Sequence, residues 1–271
     1  MTKPGKPARV LELTMDADAT PEAVWKAITE GPQLANWFAP QSRTSGSGVG
    51  STVTASWGPD MEFTTPIGAW EPGRHLQWVS DDIMGPGTKL VTDWYITTEA
   101  GKTRLRMVQS GFGEFDGWAD FFGGTETGWK YFLYNLRVYL EKHLGATRRM
   151  IARRIPVGIP RADAWRKMLA AGAGLIVAGG SAVRTGDHVG VRLDGNAPVN
   201  AVVELLVNER ALGIRIPSLG DSLLFIEFEG CSDTFQIGAW LSVYDTDVAV
   251  RIQAPAERAF DRVANDVKAP T

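Results

Sequence analysis

Apolar and polar residues follow patterns that predict a strand, a helix and then a run of strands in the first half of the chain. Residues 9–15 alternate with a period of two, as in a half-buried strand. Thr20, Pro21 and Glu22 then supply an N-cap, a first-turn proline and a first-turn acid, which predicts the start of a helix. After a loop rich in Ser and Gly over residues 42–50, turn residues separate five strand-like runs, over residues 51–57, 62–70, 75–80, 89–97 and 103–110. Their close spacing favours an antiparallel meander.

The period changes again in a last helix, predicted from Glu126 to His143. A 3.6-residue spacing places several large apolar side chains on one face of it: Trp129, Phe132, Leu133, Leu136 and Leu140. Gly145 is placed to end the helix. Because so apolar a face needs a cover, we predict an α+β fold in which a curved antiparallel sheet wraps around this helix and encloses an apolar interior.

The second half repeats this order of elements. Trp165 and Met168 follow Trp25 and Ile28 at the same offset, in a predicted helix over residues 159–169. The flanking pattern predicts a strand before this helix, further strands and a closing helix, over residues 149–156, 187–193, 199–207, 212–216, 223–229, 235–243 and 255–267. Residues 248–253 are an extra strand candidate without a counterpart in the first half. We interpret the repeat as a divergent duplication with domains over residues 8–146 and 147–271, the alternative being a chance similarity of order.

Composition narrows the classes of partner. Of the 271 residues, 44% are hydrophobic and 22% are charged, and the net charge of −3 gives no field suited to a phosphate backbone, so we expect no nucleic acid partner. No apolar run approaches the length that crosses a membrane, and no signal-like segment follows Met1, so we expect no membrane insertion and a cytoplasmic location. The single cysteine, Cys231, cannot form an internal disulfide and is interpreted as an apolar filler or an active-site thiol.

Several segments together resemble a known superfamily. They are residues 20–29, the following stretch 34–40 with its Trp37-Phe38 pair, the strand end at residues 110–112, and residues 128–141 with their Gly128-Trp129 entry. As a set they resemble the START-like SRPBCC superfamily, and within it the bacterial proteins named after the activator of the Hsp90 ATPase. The resemblance spans nearly all of residues 8–146, and only a fainter echo reaches the second half.

The resemblance implies a helix-grip fold, in tandem duplicate if the repeat is real, with a cavity between the sheet and the long helix. Members of the superfamily bind lipids, sterols, polyketides or hormones, and some cyclise, dehydrate or hydrolyse what they bind. Eight of the ten tryptophans lie in the first half, which places the expected ligand site there. The expected ligand-binding residues are Trp57, Phe63, Trp78, Trp94, Met107, Gln109, Trp118 and Phe132. The second half lacks the Trp-Phe pair and the Gly-Trp entry, so its cavity is expected to be filled or lost.

The stretch from Phe112 to Gly124 combines aromatic residues with glycines and acids between the last strand and the long helix. Glycines permit hinge-like backbone changes, so this stretch is interpreted as a lid over the cavity. The alternatives are a loop packed statically on its own domain and an oligomer contact.

Polar groups that could move a proton are Glu62, His75, Asp93, Tyr95 and Gln109. Asp93 and Tyr95 share a strand face opposite Trp94, and Gln109 is the polar side chain most expected inside, beside Leu105 and Met107. The sequence contains no metal-ligand, nucleophile-elbow or phosphate-loop motif, so no catalytic residue, metal or cofactor is assigned.

Three hypotheses follow. The first is a protein that sequesters, transports or senses a mid-sized hydrophobic or aromatic molecule. The second is an enzyme of the cyclase, dehydratase or hydrolase type that uses the same cavity. The third is a chaperone- or partner-regulating module that acts through its surface. The sequence also leaves open whether the second domain is a scaffold or supplies the surface of a homodimer.

Overall fold

The computed structural model describes residues 9–59, 61–83, 85–113, 118–169, 175–177, 183–193, 197–207, 210–230 and 235–268, without the side chains of residues 118–120. The chain divides into two compact units, Met1–Gly145 and Ala146–Thr271. Trp118 enters the description by its backbone alone, and Cys231 lies outside the described residues. No helix in the described part of the chain is both long and apolar enough to cross a membrane.

The first unit is one antiparallel sheet with two short helices and a long closing helix. Its strands lie in the order β1-β7-β6-β5-β4-β3-β2. The elements are β1 (Arg9–Ala17), α1 (Pro21–Thr29), α2 (Gly31–Leu34), β2 (Gln41–Thr44), β3 (Thr52–Ser56), β4 (Glu62–Glu71), β5 (His75–Asp81), β6 (Lys89–Glu99), β7 (Lys102–Phe112) and α3 (Trp118–Lys142). The first and last strands in sequence therefore pair, and the predicted meander is confirmed for its five strands.

Local chemistry explains how the first helices start and where they lie. The Thr20 hydroxyl accepts a hydrogen bond from the Ala23 N–H at 3.1 Å, which caps α1 as predicted. α2 crosses β2 so closely that a Cβ atom on Gly31 would lie 2.8 Å from the Arg43 Cα atom. Only glycine permits this approach, and it fixes the position of the residues that follow α2.

The boundaries of two elements in the first half were predicted wrongly. Gln41–Thr44 forms the edge strand β2, although residues 42–50 were expected to be loop throughout. The long helix begins at Trp118 and not at Glu126, so the latter part of the expected lid is helical. Glycines at positions 123, 124 and 128 lower helix propensity and hid this first portion in the sequence.

The second unit has the same topology. Its strands lie in the order β8-β14-β13-β12-β11-β10-β9, which matches the first sheet strand for strand. The elements are β8 (Arg149–Pro156), α4 (Arg161–Met168), β9 (Ile176–Val177), β10 (His188–Val191), β11 (Val199–Val207), β12 (Ala211–Ile216), β13 (Ser222–Glu229), β14 (Gln236–Val243) and α5 (Thr246–Asp266). The α+β helix-grip arrangement thus occurs in both units, while the descent of the second from a duplicated copy stays a prediction.

The prediction of an extra strand at residues 248–253 was wrong. α5 begins at Thr246, where the Asp245 carboxylate accepts a hydrogen bond from the Val248 N–H at 2.9 Å. Pro255, expected to mark the first turn, lies inside the helix. Residues 248, 250 and 252 are all β-branched and alternate with Ala249, Arg251 and Gln253, so a partial strand pattern was present locally, but the N-cap and packing against β8 and β14 decided the outcome.

Candidate ligand-binding site

Inward-facing side chains of the first sheet form two rows across its middle strands. In one row, Trp78 of β5 pairs with Thr92 of β6, which pairs with Gln109 of β7. In the next row, Trp94 of β6 stands opposite Met107 of β7. All five side chains are buried, and Trp94 and Met107 have no exposed surface. The face that α3 covers therefore carries two indoles and two uncharged polar side chains.

Aromatic side chains from the sheet, from the segment after α2 and from α3 meet over these rows. We call them the ring cluster: Trp37, Phe38, Trp57, Trp78, Trp94, Trp129 and Phe132. Phe38 lies at its centre, stacked on Trp129 with ring centroids 5.4 Å apart and edge-on to Phe132 at 4.8 Å. Trp94 meets Trp78 at 5.1 Å and Trp129 at 5.2 Å. Such offset and edge-on contacts are the favourable geometries for aromatic pairs.

The ring cluster extends from the surface to the fully buried interior. Phe63 is 47% exposed, and its ring centroid lies 6.4 Å from that of Trp57. Trp57 and Phe132 are half-buried and lie 6.0 Å apart. Behind them the rings are buried, ending at Trp94 with no exposed surface. Aromatic rings thus follow one another from β4 and the end of β3 to β6 in the middle of the sheet.

Gln109 joins three elements at the inner end of the ring cluster. Its Nε2 group donates to the Thr92 hydroxyl at 2.8 Å, and its Oε1 atom accepts from the Trp129 indole N–H at 3.2 Å. Gln109 is 4% exposed, which confirms that it lies inside. These two bonds fix the orientation of the carboxamide and tie α3 to β6 and β7.

The segment after α2 is held in place by hydrogen bonds to its backbone and its first ring. The Asn135 carboxamide on α3 donates to the Trp37 carbonyl at 2.7 Å. The Trp37 indole N–H in turn donates to the Ala27 carbonyl at 2.8 Å. Phe38 follows directly, so its central place among the rings depends on α1, α2 and α3 together.

Two indoles of the ring cluster differ from Trp37 and Trp129. The Nε1 atoms of Trp78 and Trp94 are buried, and neither has a hydrogen-bond acceptor within the described ranges. The buried polar side chains of the first unit at described positions are all uncharged: Thr29, Asn36, Thr54, Ser56, Thr92, Thr103, Gln109, Thr127 and Asn135. The described interior of the first unit thus contains two N–H groups without an acceptor, on Trp78 and Trp94, and no buried charged side chain.

The other candidate proton-transfer groups lie away from the ring cluster. The exposed Glu62 carboxylate accepts two hydrogen bonds from Arg43, the shorter of 2.7 Å, and this interaction lowers the pKa of Glu62. On the opposite face of the sheet, Asp93 accepts from Gln77 at 2.9 Å and lies 2.7 Å from the His75 Nε2 atom. The expectation that Asp93 points away from Trp94 is confirmed.

Tyr95 belongs to the same outward face. Its ring stacks on that of His75 with centroids 4.6 Å apart, and the Arg106 guanidinium lies over it at 5.3 Å. Burial, helped by the negative charge of Asp93, raises the pKa of Tyr95. Of the five polar candidates, only Gln109 is therefore positioned to meet a molecule between the sheet and α3. The described residues contain no group of three His, Cys, Asp or Glu side chains that could hold a metal ion.

The structure brings together most of the expected ligand-binding residues. Trp57, Trp78, Trp94 and Phe132 belong to the ring cluster, and Met107 and Gln109 lie in the rows beneath it. Phe63 lies at the exposed end of the sheet and not inside it. The side chain of Trp118 is outside the description.

The expected ligand-binding residues did not include the central ring, Phe38, or its stacking partner Trp129. The Trp37-Phe38 pair just after a predicted helix was the available signal, but the sequence does not show that the chain turns this pair towards the sheet. Thr92, the partner of Gln109, gave no signal because threonine is common in strands.

The part of the expected lid that is described packs on its own domain. Phe121 and Phe122, in the first turns of α3, contact Phe112 at the end of β7, with ring centroids 6.1 and 4.8 Å apart. Residues 114–117 lie outside the described part. These ring contacts favour the static-packing alternative for residues 121–124.

Comparison with known proteins adds the family. Residues 18–141 match the model of the family described as Activator of Hsp90 ATPase homolog 1-like protein. The first unit is a domain of this family. We call it the activator-like domain, and the resemblance found in the sequence is confirmed for it. None of the curated protein sequences matches the chain significantly.

Some of the similar solved structures cover about half of the chain, and others cover nearly all of it. The Aha1 dimer from Colwellia psychrerythraea is similar with 22% identity, 51% of this chain and 99% of that one covered, and a TM-score of 0.45. The dynemicin-locus protein DynU16 is similar over 97% of this chain and 98% of its own, with 18% identity and a TM-score of 0.43. The di-domain ARO/CYC protein BexL of the BE-7585A pathway covers 97% of this chain and 100% of its own, with 13% identity and a TM-score of 0.45.

Proposed function

We propose that the activator-like domain binds a hydrophobic or aromatic small molecule between its sheet and α3. The observation that carries the proposal is the continuous path of rings from exposed Phe63, through half-buried Trp57 and Phe132, to fully buried Trp94. Small-molecule sites combine mostly apolar and aromatic walls with a few placed polar groups, and Gln109 and Thr92 supply such groups at the inner end.

Binding is favoured over catalysis by the chemistry of these polar groups. A carboxamide and an aliphatic hydroxyl do not ionise near neutral pH, and the candidate acids and the imidazole lie on the surface or on the opposite face of the sheet. The proposal is therefore sequestration, transport or sensing. An enzyme that works by orienting a reactive substrate would be recognised by recovery of a changed molecule after incubation.

The second unit is assigned a supporting role within the same proposal. The inward side chains of its middle strands are apolar except for Ser222, whose hydroxyl donates to the Leu219 carbonyl, and the apolar ones pack in one contiguous core. We infer that this unit acts as a scaffold and offers no second site of the same kind.

The test is native mass spectrometry of freshly purified protein, followed by release and identification of any bound molecule. We expect one hydrophobic or aromatic adduct per chain, lost in Phe132→Ala, which removes a half-buried ring without touching the Gln109 hydrogen bonds. The matched control is Val250→Ala, because Val250 is 68% exposed on α5. The same spectrum reports whether the chain forms the homodimer that the sequence left open.

The proposal fails if the protein is empty and if neutral aromatic compounds and long-chain fatty acids leave its tryptophan fluorescence unchanged. That outcome would favour the partner-regulating hypothesis, in which the surface of the domain carries the function.

A further inference from the structure

Two buried indole N–H groups in the ring cluster have no acceptor in the described chain. Trp94 has no exposed surface, Trp78 is 5% exposed, and the Nε1 atom of each is buried. A buried donor without a partner destabilises the folded state, so such donors are normally satisfied by protein, water or ligand. Here two such donors lie on rings whose centroids are 5.1 Å apart, and the described part of the chain supplies a hydrogen-bond acceptor to neither.

The neighbouring indoles show that the fold can supply acceptors at this depth. Trp37 donates to a backbone carbonyl and Trp129 donates to Gln109. The acceptor oxygen of Gln109 is thus already engaged, and its Nε2 group donates to Thr92. What the interior offers to a bound molecule is therefore mainly donors, from Trp78 and Trp94.

Charge narrows the class of ligand further. No buried side chain of the activator-like domain is charged at the described positions. An ionised carboxylate, phosphate or ammonium would lose its hydration without gaining a counter-ion, which costs far more than a hydrogen bond to an indole returns. A neutral oxygen acceptor loses much less on entering the site. The ring-lined walls favour a flat aromatic skeleton, because edge-on and offset contacts add to the apolar area that is buried.

Resting on the proposed function, we propose that the ligand is an uncharged, planar aromatic carbonyl compound, of the quinone or aryl ketone class, whose oxygens accept hydrogen bonds from the Trp78 and Trp94 indoles. Trp57 and Phe132 flank the route by which it enters. The hydrogen bond from Trp129 to Gln109 holds the Trp129 ring against Phe38 and thereby positions one side of the site.

The competing explanation is that each N–H group points at the face of a neighbouring ring. Trp94 meets Trp129 at an interplanar angle of 77°, and Trp78 meets Trp94 at 64°, so edge-to-face contacts exist. An N–H···π contact is weaker than a hydrogen bond to a carbonyl oxygen. If these contacts satisfy the donors, the carbonyl groups of a ligand would bring no advantage.

The experiment compares anthraquinone with anthracene by equilibrium dialysis against the full-length protein. The two compounds share one ring skeleton, and anthracene is the more hydrophobic, so burial of apolar area alone favours anthracene. We expect anthraquinone to bind about tenfold more tightly, because it makes two additional hydrogen bonds. Anthraquinone sulfonate, which adds a charge to the same rings, is expected to bind at least about tenfold more weakly than anthraquinone.

The variants Trp78→Phe and Trp94→Phe keep an aromatic ring and remove the N–H group. Each is expected to weaken anthraquinone binding about three- to tenfold and to reduce the preference over anthracene by the same factor. Because the preference is a ratio measured within one variant, a general loss of folded protein cancels. The control is Trp25→Phe, since Trp25 packs edge-on against Trp70 and contacts no ring of the cluster.

The outcomes separate this inference from the proposed function. Equal binding of both compounds, or equal losses for both in the two variants, would overturn the inference and leave the binding function standing. Failure of all three compounds to bind, in a protein that also carries no native adduct, would overturn both.

Discussion

The two units share one topology but differ in what their sheets present to the closing helix. In the first unit, the middle strands contribute Trp78, Thr92 and Gln109 in one row. In the second unit, β12, β13 and β14 take the places of β5, β6 and β7 in the strand order. A row of paired inward residues across these strands consists of Ile214, Leu224 and Leu241. One interior is aromatic with internal hydrogen bonds, and the other is mainly aliphatic.

The same fold is therefore compatible with an aromatic interior that contains hydrogen bonds and with a mainly aliphatic interior. Sheet order, strand pairing and a closing helix require only inward apolar faces, which both units have. A binding site also requires rings that reach the surface and polar groups that are free to form hydrogen bonds with a ligand. The second unit has rings as well, but Phe228 and Phe235 stack on each other with centroids 5.5 Å apart, and Arg161 covers Phe235. The proposed function of the first unit therefore rests on its interior and not on the fold.

The largest effect expected is on the stability of the second unit. Phe228→Ala removes a ring that is 1% exposed and contacts Trp165, so it should cost about 3–5 kcal/mol of the free energy of unfolding of this unit, measured by urea denaturation. The ligand affinity of the first unit should not change. Val250→Ala, at an exposed site, should cost less than about 0.5 kcal/mol. A loss below about 1 kcal/mol for Phe228→Ala would mean that the second interior is loosely filled, and the contrast between the units would break down.

The next effect concerns charge. Burial and the negative charge of Glu229 raise the pKa of half-buried Glu227 to about 7, from an ordinary value of 4.5, against the opposing charges of Arg210 and Arg154. Because the pKa of Glu227 is higher in the folded state than in the unfolded state, its contribution to the free energy of unfolding is fully present below about pH 4.5. This contribution is lost as the pH rises to about 7. The loss should not exceed about 3 kcal/mol.

Glu227→Gln should remove this dependence, so its stability relative to wild type should increase between pH 5 and 8 in urea titrations. Glu62→Gln is the control, because Arg43 lowers the pKa of Glu62 and keeps it ionised throughout that range. In the first unit, Arg106 and Arg104 likewise lower the pKa values of Glu12 and Asp16, so their contributions are lost only as the pH falls. A constant difference between Glu227→Gln and wild type would contradict the prediction.

A smaller effect is expected when the first interior is made to resemble the second. Gln109→Leu removes the acceptor of the Trp129 N–H group and the donor to Thr92, so it should cost about 1–3 kcal/mol of stability. Ligand affinity should fall as well, because Trp129 loses the bond that positions it. Glu62→Gln, at an exposed ion pair that solvent screens, should change stability only slightly and leave binding unchanged. Equal stability and binding in Gln109→Leu and wild type would show that the polar row is dispensable.

Strand order could be anticipated because turn residues and two-residue periods are local signals. The predicted strand β8 over residues 149–156 coincides with the observed one, and the N-cap at Thr20 is confirmed. Gln109 could be placed inside because it shares a strand face with Leu105 and Met107. Helix boundaries failed where local signals conflict with packing, at the glycines near the start of α3 and at Pro255 in α5.

Local patterns along the chain were enough to predict an antiparallel sheet around a long helix, the repeated order of elements and the concentration of tryptophan in the first half, and the family resemblance added the helix-grip fold. Which rings meet could not be predicted in this way, because it depends on residues that are far apart in the chain. Phe38 and Trp129 are 91 positions apart and stack because Gly31 lets α2 lie against β2 while α3 crosses the sheet. The state of each indole N–H group was likewise decided in space, because an acceptor is supplied by whichever strand or helix lies opposite, and chain order does not specify that neighbour.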